Sequence, residues 1–79
     1  MTRYFFDFRE ENDLILDEEG VELPSLERAK LEAGRAIAER ARDMMTGNGT
    51  LVIAVEVRSD KGHQFTSSMV LETTAHKAA

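Results

Sequence analysis

The sequence predicts an α+β domain, a ββαββ two-layer sandwich with one long helix packed on one face of a mainly antiparallel sheet. Three observations predict it. Apolar residues recur at alternate positions, in part, through RYFFDFR (3–9), TLVIAVEVR (50–58) and the run 63–72, the period-two signal of strands. Between them, Leu26, Ala29, Ala33, Ile37, Ala41 and Met44 (or Met45) recur at steps of three and four, the stripe of an amphipathic helix. Turn formers gather at 10–13, 17–20, 46–49 and 59–62, where the chain must reverse.

The first strand holds four of the aromatic residues, Tyr4, Phe5, Phe6 and Phe8, a composition that suits β structure. Tyr4, Phe6 and Phe8 share one face; Arg3, Phe5, Asp7 and Arg9 share the other. Glu10-Glu11-Asn12-Asp13 is the hairpin turn, and Leu14-Ile15-Leu16 the return strand. Asp17-Glu18-Glu19-Gly20 forms a second turn, with its acids solvated and Gly20 free to take a positive φ. Val21–Leu23 is extended, because Pro24 disfavours helix at the residue before it.

The helix begins at Ser25, a good N-cap, with Glu27 in the first turn where the helix dipole favours negative charge. Arg28 occupies the position at which a capping box needs Glu or Gln. The small residues of the stripe let the helix lie close on the sheet. Leu31, Ala38 and Met45 form a second, weaker stripe. Gly34 costs about 1 kcal/mol relative to Ala in a helix interior, and its expected role is to admit a close neighbour. Thr46-Gly47-Asn48-Gly49 ends the helix, with glycine where a left-handed residue is wanted.

In the C-terminal hairpin, Leu51, Ile53, Val55 and Val57 take one face, and Val52, Ala54, Glu56 and Arg58 the other. The turn Ser59–Gly62 places Gly62 at positive φ. His63, Phe65, Ser67, Met69 and Leu71 then share one side of the last strand; Gln64, Thr66, Ser68, Val70 and Glu72 share the other. Residues 1–73 make a single α+β domain. Residues 74–79 are small and polar and are expected to be a disordered tail.

Composition narrows the function. The chain has 79 residues, 42% hydrophobic and 32% charged, the balance of one folded domain. So short a chain buries only roughly 60–65% of its unfolded surface. Disulfides, metals or self-association commonly supplement such domains. With no cysteine and only His63 and His76, disulfides and thiolate sites are excluded and an imidazole cage is disfavoured. Self-association is the supplement left. A net charge of −5 opposes a polyanion, so nucleic acid is not an expected partner. No apolar run approaches a membrane span, and the N-terminus does not read as a signal peptide. A cytoplasmic location is expected.

The segments Arg3-Tyr4-Phe5-Phe6, Asp17-Glu18-Glu19-Gly20, Leu23-Pro24-Ser25 and Leu26-Glu27-Arg28-Ala29 resemble those of a family of short bacterial proteins of unknown function. Its members open on Arg-Tyr-Phe-Phe and run through an Asp-Glu-Glu-Gly turn and Leu-Pro into a Leu-Glu-x-Ala helix. Ser25 stands where many members have Asp; both cap helices. The likeness covers the first half well and the C-terminal hairpin only in outline, and it implies a class without an activity. A weaker likeness, of pattern alone, is to the small antitoxins of bacterial toxin–antitoxin pairs.

Tyr4, Phe6 and Phe8 are expected under the helix as core. Phe5 then falls on the open face with Val52, Ala54 and Val70, and these four form the candidate interface. The acids 17–19 lack the spacing of a calcium loop. His63 with Asp60 nearby reads as an exposed turn histidine rather than an acid–base pair. Arg28, Lys30, Arg35, Arg40 and Arg42 alternate with acids at helical spacing, an ion-paired solvated face. No catalytic, cofactor-binding or metal residue is assigned. The expectation is a non-enzymatic interaction module that self-associates as a homodimer. The alternative is an antitoxin-like regulatory protein that binds a protein or nucleic-acid partner.

Overall fold

The computed structural model describes residues 1–77. β1 (Thr2–Glu10) turns through Glu11 and Asn12 into β2 (Asp13–Ile15), and β3 (Val21–Leu23) leads into α1 (Leu26–Met44). β4 (Gly49–Ser59) and β5 (Gly62–Thr73) complete the chain's regular structure among the described residues. All pairings are antiparallel, in the order β2-β1-β4-β5, with β3 also paired to β1. The α+β fold with a helix on a sheet is as expected. Val21–Leu23, expected only to be extended, is a fifth strand, paired with Thr2–Tyr4.

β2 and β3 are two pieces of one return course along β1. Phe8 to Glu10 face Ile15 to Asp13, and Thr2 to Tyr4 face Leu23 to Val21. Asp17–Gly20 bulges out between the pieces. That leaves the middle of β1's outer edge without a strand.

The helix lies over β4, flanked by β5 and β3. Its Ala29, Ala33, Ile37 and Ala41 are buried against Ile53, Val55 and Val57, as the stripe required, and Met44 is half-buried, but the stripe's first member, Leu26, and Met45 are exposed at the helix ends. Tyr4 is buried too, while Phe6 and Phe8 are half-buried and pack on the rim of this core. The helix is centred on β4 rather than on β1, so these two rings meet its flank. Each Val or Ile buried here contributes roughly 1.5–3 kcal/mol. Ser25 caps the helix: its Oγ accepts from the Arg28 amide at 3.1 Å.

Three local expectations change. Gly34 is exposed, and a Cβ built on it would meet no atom within 4 Å, so no neighbour approaches there. The helix stops at Met44 because Met45 turns extended (φ −68°, ψ 123°), ahead of the glycines expected to end it. A bulge at the end of the last hairpin pairs Arg58 with His63 and Val57 with Phe65. Gln64 is the extra residue, and His63 moves to the face opposite the helix. Residues 74–77 follow β5 without regular structure. Residues 78 and 79, the end of the expected tail, lie outside the described residues.

Candidate functional site

The sheet's second face carries no helix. The register sets Val52 opposite Val70, Ala54 opposite Ser68, and Arg9 opposite Ala54. Val52 and Val70 are 51% and 58% exposed, an apolar pair left in water at one end of the sheet. Three of the four candidate residues, Val52, Ala54 and Val70, therefore come together.

Phe5 does not join them. It pairs with Arg58 at the other end of the register, and the Arg58 guanidinium lies over its ring, 4.5 Å from the centroid. A cation over an aromatic face at this range is attracted by the ring's quadrupole. Gly20 backs the ring on another side: a Cβ there would come within 2.9 Å of Phe5 Cε1. Between Phe5 and the valines runs a charged belt of Asp7, Arg9, Glu56 and Arg58. Arg9 Nε donates to Glu56 at 2.6 Å, and Arg58 Nε to the buried Asp7 carboxylate at 2.8 Å. Strand alternation places Phe5 on the correct face, but the charges that divide that face are pairings across strands, which alternation does not encode.

Asp17 organises this end of the sheet. Its Oδ2 accepts from the Phe6 amide at 3.1 Å, and its Oδ1 accepts from the Glu19 and Gly20 amides at 3.1 Å each. Its own amide donates to Asp7 Oδ1 at 2.9 Å, and Arg58 Nη2 donates to its carbonyl at 2.9 Å. Burial acts to raise the Asp17 carboxyl. The Gly20, Phe6 and Glu19 amides and the Arg58 charge outweigh it and hold the group below the usual carboxylate range. Of the three acids expected to be solvated, only Glu18 and Glu19 are exposed. The signal for Asp17 was in the sequence: Asp followed by Gly three positions on is an Asx turn, whose carboxylate bonds back to the chain. Asp7, alone among aromatics, was a sign of a partner, since a buried charge requires one.

His63 shares a bond of 3.3 Å with Thr66 through Nε2 and Oγ1, and Asp60 is not its partner. On the helix, Arg28–Glu32, Lys30–Glu27 and Arg35–Glu32 pair along the exposed face at 3.2, 3.5 and 3.0 Å. Arg40 reaches off the helix and grips Glu10 with two nitrogens, Nη2 to Oε1 at 2.9 Å. Those bonds hold the Glu10 carboxyl below its usual value against the effect of burial. Among the described residues, no group of three or more His, Asp or Glu side chains is placed to hold a metal ion, and no helix is long and apolar enough to cross a membrane.

Compared with known families, residues 3–70 match the model described as Domain of unknown function (DUF6894). No curated protein and no solved structure matches the chain.

Proposed function

Since the chain belongs to the DUF6894 family, which carries no assigned activity, we propose from its own surface that it is a non-enzymatic interaction module that works by self-association, in the cytoplasm. The observation that carries this reading is the side-by-side pair Val52 and Val70, each more than half exposed. Burying such a pair on a second copy would supply area that a 79-residue chain lacks.

The nucleic-acid reading finds little support in the charges. Arg3, Arg9, Arg28, Lys30, Arg35, Arg40 and Arg58 each lie within an ion pair with an acid of the same chain. The acids beside these cations offset the attraction they would offer a phosphate backbone.

Light scattering behind a sizing column, on untagged protein, tests the proposal. A dimer mass that falls toward the monomer in Val70→Lys supports it. A monomer mass at every concentration up to the millimolar range overturns it.

A further inference from the structure

The two edges of this sheet are unlike. The β1 side is blunted in the ways that keep strands from adding: β2 and β3 are three residues each, acids line them (Asp13, Glu18, Glu19, Glu22), and Asp17 fills the gap between them. Short strands and charges are the usual protection of an edge. On the β5 side such protection is confined to the two ends, the bulge at Gln64 and the acid Glu72. β5 is 12 residues long and is the last strand in the order. From Gln64 to Leu71 it carries no charge, no proline and no glycine. Every second amide of an outer strand points away from its neighbour.

We infer that β5 is the seat of self-association, pairing antiparallel with β5 of a second copy about a two-fold axis. The inference rests on the self-association reading and adds its geometry. Side-chain alternation restricts the register, because residues on one face must meet residues on the same face. Centring the axis on Ser68 satisfies this. Phe65 then faces Leu71 of the second copy on the helix side, and Thr66 faces Val70 on the open side. Aromatic–aliphatic and β-branched pairs of this kind stabilise cross-strand contacts.

The charges favour the same antiparallel arrangement. The acidic end of β5, Glu72, falls opposite the uncharged Gln64 of the second copy, next to His63 and three positions from Lys61, which has the exposed Asp60 beside it. Lys61 is exposed. Both ends of the seam gain the contact, because the two-fold repeats it. Each Val70 then packs beside Thr66 of the second copy, which takes the seam side of the Val52–Val70 pair out of water, and both helices lie on the other face.

Ser68 is exposed and lies on the open face, so charging it leaves the core alone. Ser68→Lys sets two like charges against each other at the axis and is expected to weaken the dimer about tenfold or more, with circular dichroism unchanged. Mixing Ser68→Lys with Ser68→Glu is expected to restore dimer mass, as the mixed species only. In the wild-type dimer, amide hydrogen exchange is expected to show both sets of alternate amides from Gln64 to Leu71 protected, and one set to lose protection on dilution to monomer. A wild-type dimer whose outward β5 amides stay unprotected, and whose mass Ser68→Lys does not change, overturns the strand pairing while leaving self-association in place. A wild-type monomer overturns both.

Discussion

The Asp17 carboxylate accepts a hydrogen bond from the Phe6 amide at 3.1 Å. It stands where a neighbouring strand would supply a carbonyl. A side chain thus continues the return course of β1 across the break between β2 and β3, and the same carboxylate closes its own turn through Glu19 and Gly20.

Asp17→Asn tests how much this substitution for a strand matters. Both carboxylate oxygens accept from backbone amides, and an amide side chain offers only one acceptor. One donor is left facing an NH₂ group, at a cost of about 1–3 kcal/mol. Urea unfolding at neutral pH is expected to show a lower midpoint with an unchanged slope. An unchanged midpoint would mean the gap is solvated instead.

The acid dependence follows from Asp17 and Glu10. Both carboxyls are held below their usual values in the fold. A depressed group stabilises the fold fully above its unfolded value, about pH 4 for these residue types, and loses that contribution as pH falls through the folded value. Stability is therefore expected to be flat from neutral pH to about 5 and to fall steeply below about 4. Asp17→Asn should make the acid limb shallower, and Arg40→Gln should do so independently through Glu10. Urea midpoints measured between pH 7 and 2.5 check both.

Gly20→Ala is expected to destabilise by about 1–3 kcal/mol. The residue has φ +70°, and a new Cβ would meet Phe5 Cε1 at 2.9 Å and Arg3 Cγ at 3.0 Å. Left-handed strain and a ring that must shift act together. The Phe5 ring resonances should move with the variant, since displacing the ring alters its stacking on Arg58.

Gly34→Ala is expected to raise stability by about 0.5–1 kcal/mol. The site is exposed helix interior with nothing within 4 Å of the added carbon, so only the helix propensity difference remains. Thermal melting measures it as a higher midpoint, and a lower one would reveal an unseen neighbour.

What could be read from the sequence was local. The helix start at Ser25, the buried alanine stripe and the inward Ile53, Val55 and Val57 depend on spacing within one element, and all are found. The positive φ at Gly20 and Gly62 also follows from turn chemistry. What escaped was set by distant partners. Asp7 and Arg58 stand 51 positions apart, so neither residue type shows the pair. His63 changed face because one bulge shifts every position beyond it by a step. The candidate interface was half legible for the same reason. Val52, Ala54 and Val70 meet by simple alternation, but the Arg58–Phe5 stack and the charged belt that isolates it arise only once β1 lies against β4.

The central position of β4 has a consequence for how the chain is made. β1 is synthesised early and β4 late, with the whole helix between them. The early half emerges with its aromatics and Asp7 lacking the strand that covers them, and the helix with no β4 to bury its alanines. Closing that long loop is opposed by chain entropy and is expected to be the slow step. Folding is thus expected to wait until β4 has left the ribosome and then to complete as a single event. A chain interrupted at Gly47 would yield two pieces, neither holding a core, that become a domain only by finding each other.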